Sequence, residues 1–537
     1  MRRAHPMSTL PAIRHGSALP DRVSKLQNLS TALLAVSHST PIVFIDSQGL
    51  ENKLTYGHLV ESAKCIAAGL KEQGLQPRQK VLLQLSLSED ILPVFWGCLF
   101  AGLEPIVVPI PVSYDLESRA LEQLIHIWNL LEQPLICTTA ALAPTLSGSS
   151  RFPELQDARI ASIESLRQHA PIETIYRATL SDVAFYVLSS GSTGLSKAVE
   201  LTHGNLLSRA IGTNLLCGSQ QSDVILSWLP FDHIGNISAY HISPVLEGSK
   251  LVYAQKEFVL ARPLRWLDLI DKHRITHGWA PNFAFALVSK ALKNQNNGQW
   301  DLSCVKGLLS AGELIAHSTV TEFLEAVRPY GLRRESLISA FGMAETCSGV
   351  SYHLPPAGQS IKFVHIDRHQ LSGSIRHVAP NDSTCISFAS LGPVIPGMSM
   401  RIVDEHNQVV PEETAGRFQL RGAGLMPGYY RNPQANQAFV EDGWFDTGDA
   451  AFISNGELVM LGRVGMGIIV NGANLSNIEI EAAAEQVEGL EPSYTAACAA
   501  FAPGTDRLHL VVFFHTLVTD ERELASSADS NPILILK

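Results

Sequence analysis

The sequence predicts an α/β fold: a large N-terminal domain of mostly parallel, layered sheets flanked by helices, followed by a small, shortened C-terminal α+β domain. Three observations carry that prediction. Short apolar runs of strand length alternate with helical-period segments along most of the chain, the rhythm of parallel sheets with crossover helices. The 537 residues exceed what one hydrophobic core can fill. Near Gly462 and Gly467 two strand-like runs meet at glycines, which absorb the dihedral change of a hinge, and a small terminal unit begins there. The expected boundaries are residues 1–25 as a flexible amino terminus, 26–462 as the large domain with an insertion at about 356–385, and 463–537 as the small domain.

Residues 1–25 are rich in Pro, Ser and Arg and are expected to be poorly ordered. A helix is expected over 30–36 and a strand over 41–46. Leu59, Ala63, Ile66, Ala67 and Leu70 then recur at helical spacing behind Leu54, Thr55 and Tyr56. A strand over 80–85, a helix over 91–101 and a strand over 104–109 continue the rhythm, as do apolar runs at 222–230, 250–254 and 305–310. The run 183–188 is continuously apolar with β-branched and aromatic members, which suits a strand buried on both faces. The segment 356–385 breaks the pattern, being polar and rich in histidine.

Composition narrows the class. Hydrophobic residues make up 46% and charged residues 17%, a globular profile. A net charge of −11, from 40 basic against 51 acidic residues, argues against a general nucleic-acid binder. The eight cysteines include no C-x-x-C pair and read as reduced thiols of a cytoplasmic protein. Basic residues near the start have no apolar stretch behind them, so no secretory signal is read there, and no segment has the apolar length of a membrane span.

The chemistry concentrates at residues 189–197, between the apolar run and the T-H-G-N that opens a helix. Gly191 and Gly194 allow backbone N–H groups to approach an anion, Ser189, Ser190, Ser192 and Thr193 add hydroxyl donors, and Lys197 adds a compact positive charge. A polyphosphate fits that inventory. The Walker spacing is absent, because Leu195 and Ser196 precede the lysine and Ala198 follows it. A Ser/Gly surface loop is the plain alternative, against which stand the preceding strand, the terminal lysine and the following helix. The stretch resembles the phosphate loop of the adenylate-forming, acyl-activating superfamily, with Ser196 where that family usually has proline.

Further motifs follow in that family's order. Residues 227–235, S-W-L-P-F-D-H-I-G, end a predicted strand, where ligands collect in open parallel sheets. The W-L-P-x-x-H pattern resembles acyl-CoA and acyl-AMP ligases and implies that His233 lies near the carboxylate substrate; a loop-capping histidine is the alternative. Phe231-Asp232 resembles the F-D of amino-acid-activating domains less closely, since Ile234 replaces the expected serine. By the resemblance, Gly312 in S-A-G-E offers backbone to adenine, Phe341 and Gly342 in F-G-M-A-E-T offer an aromatic face, and Glu345 holds Mg²⁺. A carboxylate beside a triphosphate suits a divalent ion held by one or two carboxylates and phosphate oxygens. Phe341 stands where tyrosine is commoner. Asp449 in W-F-D-T-G-D and Arg463 in G-R are implied to hold ribose and phosphate.

Within the superfamily, F-V-H-I-D-R-H-Q-L-S-G, the later S-L-G-P-V-I-P-G-M-S-M-R-I-V-D and F-G-M-A-E-T resemble the fatty acyl-AMP ligases, in which an insertion here accompanies transfer to a carrier protein. An ordinary surface insertion is the alternative. The implied activity is ATP- and Mg²⁺-dependent conversion of a carboxylic, expectedly fatty, acid to an acyl-adenylate, then transfer to the phosphopantetheine thiol of an acyl carrier protein. Lys197, His233 and Glu345 are the implied catalytic residues. Trp279 and its neighbours to Phe283 could line the acyl pocket, though core packing explains them equally. Two departures point to weakened chemistry: Gly465 and Met466 replace the charged hinge pivot, and the family's terminal G-K lysine has no counterpart, Lys537 lacking its context. The rivals are a coenzyme A ligase or amino-acid adenylation domain, and a silent module that docks a carrier.

Overall fold

A computed structural model describes residues 10–111, 114, 119–148, 153–189, 196–294, 298–464, 467–470, 473–476, 480–481, 484, 490–501 and 508–516. Two sheets follow the predicted parallel pattern. In an eight-stranded sheet the central strands Val224–Ser227, Lys250–Ala254, His277–Ala280, Gly307–Ser310 and Leu337–Met343 run parallel, with antiparallel strands Ser348–His353 and Glu51–Thr55 at its edges. A six-stranded sheet places Lys80–Leu83, Glu104–Val107 and Val183–Ser189 in parallel and adds Lys197–Thr202 antiparallel at one edge. The helices between them carry the predicted apolar faces. Tyr56–Glu72 begins with a capping box, in which Thr55 and His58 satisfy each other's backbone donors, and buries Leu59, Ala63, Ile66, Ala67 and Leu70.

The sequence predicts a loop and then a helix after the Val183–Ser189 strand. The helix His203–Cys217 is there, capped by Thr202, but the strand Lys197–Thr202 comes between. The phosphate-loop stretch therefore joins two antiparallel strands, at whose ends Ser189 and Lys197 face each other.

A third sheet departs from the expected parallel pattern. Ile13–His15, Met398–Val403, Thr414–Gly422, Phe445–Ser454 and Glu457–Arg463 pair antiparallel in that order. Its first strand lies within the residues 1–25 expected to be poorly ordered, Ile13 pairing with Arg401, while residues 1–9 lie outside the described residues. The histidine-rich insertion is also built in: Phe363–Asp367 pairs with Cys385–Ala389, and Val364, Ile366 and Phe388 pack against Phe452 and Val459. Beyond Arg463 the described residues form two hairpins, Gly467–Val470 with Ala473–Ser476 and Leu490–Phe501 with Leu508–Thr516. Among the described residues no helix is long and apolar enough to cross a membrane.

Glu457 ties the third sheet to the eight-stranded one. It accepts from Ser390 Oγ at 2.8 Å, lies 3.1 Å from His353 Nδ1 and pairs with Lys362 Nζ at 3.3 Å. Burial alone would raise its pKa, but the His353 and Ser390 hydrogen bonds and the charges of His353 and Lys362 outweigh that and hold it at about 2. A depressed folded-state pKa contributes stability above the unfolded value, lost as pH falls through the folded one. Glu457→Gln is expected to cost about 2 kcal/mol at pH 7. That difference should shrink as pH falls from 4.5 toward 2, which denaturant titrations at several pH values will read.

Candidate active site

Three of the predicted motifs, S-W-L-P-F-D-H-I-G, S-A-G-E and F-G-M-A-E-T, sit where the parallel strands of the eight-stranded sheet end. Ser227, Ala280 and Ser310 are the last residues of three neighbouring strands, and Phe341 to Met343 close a fourth. A β-bulge lies between Phe341 and Gly342, where a Cβ on Gly342 would sit 2.4 Å from the Ser348 carbonyl oxygen. Glycine is required by that approach, and the bulge turns the strand into the short helix that carries Glu345.

One set of site residues forms two runs of contacts, near enough for the charge of Glu345 in the first to act on Asp449 in the second. Lys197 Nζ lies 4.5 Å from the centre of the Tyr429 ring. The Tyr429 hydroxyl donates to Glu345 Oε1 at 2.7 Å. Glu345 is 5% exposed and Asp449 7%. Asp449 pairs with Arg463 Nε at 3.1 Å, and Arg463 Nη1 also donates to the Thr447 carbonyl at 2.8 Å. Burial raises the pKa of Asp449 and the Glu345 charge adds to that, while Arg463 and the Thr447 hydrogen bond oppose it. Phe341 joins the set through Phe418, against which it packs edge to face with ring centres 5.5 Å apart. The Thr447 hydroxyl in turn donates to the Phe418 carbonyl.

A second set gathers around Trp279. The His233 ring lies 5.2 Å from the indole on one side, and Tyr240 stacks at 5.8 Å. Gly235 N–H donates to His233 Nδ1 at 3.0 Å, which leaves Nε2 as the proton-bearing nitrogen of the neutral ring. His233 reaches the surface of the cleft yet is crowded by protein, and that desolvation lowers its pKa against the opposing charge of Asp232. Gly312, at φ +89°, faces the same indole, which a Cβ there would approach to 3.9 Å. Gly235 is the tighter place: a Cβ there would lie 2.9 Å from the Trp279 ring and 3.0 Å from His233 Nδ1. Gly235→Ala is expected to displace His233 and raise the KM for the acid about tenfold, with a smaller change in the KM for nucleotide, as steady-state kinetics will show.

Opposite Lys197 the Ser189 hydroxyl is buried without a hydrogen-bond partner among the described residues. Ser190, Gly191, Ser192, Thr193 and Gly194, like Gly465 and Met466, lie outside the described residues. The structure thus brings Lys197, Glu345, Asp449, Arg463 and Phe341 into one group and His233 and Gly312 into another on adjacent strand ends. Sequence reasoning missed Tyr429, the residue that connects Lys197 to Glu345. Its signal was present in M-P-G-Y-Y, where a Pro-Gly turn brings Tyr430 N–H onto the Ala198 carbonyl at 2.9 Å, beside the lysine.

The Ser189 hydroxyl, without a partner among the described residues, and the buried carboxylate of Glu345 suit a phosphate-bound ion, which needs few protein ligands. No cluster of three metal-ligating side chains occurs among the described residues. The AMP-binding enzyme family matches residues 35–430. This chain belongs to the AMP-binding enzyme family. It is accordingly an adenylate-forming enzyme by family. It is 34% identical over 455 residues to the nonribosomal peptide synthetase acyN of Ascocoryne sarcoides, covering 82% of this chain and 46% of that one. The chain spans about half the length of such curated relatives, 46% to 51% for the first three. It is 32% identical, with a TM-score of 0.83, to the adenylation domain of a keto acid-selecting peptide-synthetase module bound to keto acyl adenylate, covering 96% and 93% of the two chains. A fatty acyl-adenylate ligase structure from work on the E. coli and L. pneumophila enzymes shares the fold, with a TM-score of 0.84 at 24% identity and coverage of 95% and 91%.

Proposed function

We propose that this AMP-binding enzyme activates a carboxylic acid lacking an α-ammonium group, a fatty or 2-oxo acid, and passes the acyl group to the phosphopantetheine thiol of a carrier protein. The contact chain from Lys197 through Tyr429 to Glu345, beside the Asp449–Arg463 pair, carries this reading. Asp449 and Arg463 would hold the ribose, Phe341 would face the base, and Lys197 with the loop hydroxyls would hold the terminal phosphates. Mg²⁺, held by Glu345, would neutralise phosphate charge. The acid carboxylate attacks the α-phosphorus of ATP, the bond to the bridging oxygen breaks, and pyrophosphate leaves; positioning and charge stabilisation do most of the work. The mixed anhydride then acylates the carrier thiol and releases AMP.

Ile234, standing where the F-D pattern of amino-acid-activating domains has serine, supports an acid without an amino group. Asp232 lines a small space with Phe95, Val107, Phe185, Phe231 and Ile237. The Trp279 and Tyr240 rings stacked beside His233 would leave little room for a long chain there, which favours short or flat acids. The keto acid selected by a relative 32% identical to this chain points the same way.

Pyrophosphate release across fatty, 2-oxo, aryl and amino acids, with mass detection of the adenylate, tests the proposal. A 2-oxo or short fatty acyl-AMP is the expected product. An aminoacyl-AMP would overturn the substrate class, and no adenylate from any acid would overturn the activity. Parallel reactions with free coenzyme A and with a loaded carrier protein separate the two acceptors.

A further inference from the structure

We infer that Cys385 is a modification site of this chain, a thiol served by His365 that exchanges with low-molecular-weight disulfides. The site lies in the histidine-rich insertion and is built from residues that the adenylation site does not use. The strands Phe363–Asp367 and Cys385–Ala389 pair antiparallel, so alternate side chains take opposite faces. Val364, Ile366 and Phe388 bury one face against Phe452 and Val459. Phe363, His365, Cys385 and Ser387 are left on the other, all partly exposed, beside His317 at the start of the helix His317–Val327.

Three atoms form a close triangle on that face. His365 Nδ1 lies 2.8 Å from Ser387 Oγ and 3.8 Å from Cys385 Sγ, and the sulfur lies 3.8 Å from Ser387 Oγ. Desolvation and then the charge of His317 lower the pKa of His365, so its imidazole is neutral at pH 7 and can take a proton. The charged groups around the thiol are engaged elsewhere. Asp367, opposite Cys385 in the pairing, is held by Arg376 at 2.5 Å, and Asp382 accepts from Thr384 at 2.9 Å. Arg368 Nη2 donates to the Cys385 carbonyl at 3.0 Å. His317 packs edge to face on Phe363, with its ring centre 6.2 Å from that of His365, and the group is not gathered closely enough for a metal ion. Among the other cysteines, Cys98, Cys137 and Cys347 are buried, and burial raises the pKa of Cys65, Cys217 and Cys304. In the exchange the Cys385 proton passes to His365 Nδ1 as the sulfur attacks one sulfur of the disulfide. A new S–S bond forms, the old one breaks, and the departing thiolate takes up that proton. Cys385 is oxidised to the mixed disulfide, and half of the reagent is reduced to a thiol.

Glutathione disulfide, added to the full chain at pH 7 and followed by intact mass and peptide mapping, tests this site apart from the adenylation reaction. Cys385 should be the first of the eight cysteines modified, ahead of the exposed Cys498 by about tenfold in rate. Cys385→Ser should remove the fast adduct and leave that of Cys498. An unassisted thiol is only about 3% ionised at pH 7, so a base can add at most about thirtyfold. His365→Gln, which keeps a hydrogen-bond partner for Ser387 but not the base, should slow Cys385 by about tenfold. At about pH 9.5 hydroxide replaces the imidazole, and parent and His365→Gln should react within about twofold of each other, which a merely structural role for His365 would not produce. Modification of Cys498 as fast as Cys385, an unchanged rate in His365→Gln at pH 7, or a tenfold deficit that persists at about pH 9.5 would overturn the inference.

Discussion

Glu345→Gln is expected to lower pyrophosphate release by about a hundred- to a thousandfold while leaving the melting temperature within about 2 °C of the parent. The substitution is nearly isosteric, and the surroundings of Glu345 hold the side chain without needing its charge. Oε1 accepts the Tyr429 hydroxyl at 2.7 Å, and the residue's carbonyl accepts the Met426 N–H at 2.8 Å. A glutamine can keep both contacts through its own carbonyl oxygen and backbone. What it cannot do is balance a divalent cation among phosphate oxygens, so the Mg²⁺ concentration for half-maximal rate should rise as well. A second effect has a definite sign. The Glu345 charge is one cause of the raised pKa of Asp449, after burial. Removing it should let Asp449 ionise at lower pH, so the acid limb of nucleotide binding should move downward. A loss smaller than about tenfold, with an unchanged Mg²⁺ requirement, would remove Glu345 from the metal role.

The strands that end at the site were legible because each is a short apolar run, and buried parallel strands need nothing else to announce them. His233, Gly312 and Glu345 were legible because each belongs to a local motif. The features that were missed depend on distant partners. Ile13–His15 looked disordered by composition, yet it is a strand because Met398–Val403 offers it an edge. The Lys197–Thr202 strand lay hidden between two strong signals, a glycine-rich turn and the Thr202 helix cap. Tyr429 acquires its meaning only when the fold brings it to Glu345, 84 residues earlier in the chain. Trp279 could be read as an apolar pocket or core residue but not as the neighbour of His233 and Tyr240, because the three rings come from two separate segments.

Lys197→Met should reduce adenylate formation about a thousandfold, roughly 4 kcal/mol of transition-state stabilisation. Methionine keeps the aliphatic stem of lysine against the Tyr429 ring, so packing is conserved while the charge is removed. The loss should appear mainly in kcat, because a cation at the polyphosphate matters most as charge moves onto the departing pyrophosphate. Tyr429→Phe isolates the connection between the two groups. Its ring remains beneath Lys197, but Glu345 loses the hydrogen bond that fixes Oε1, and a loss of about tenfold is expected. If lysine, tyrosine and glutamate act as one positioned unit, the Lys197→Met, Tyr429→Phe pair should be slower than Lys197→Met alone by much less than that tenfold. Fully multiplicative losses would mean that Tyr429 supports Glu345 independently of the lysine. The role of Lys197 itself would be refuted by a Lys197→Met enzyme that forms adenylate within about threefold of the parent rate.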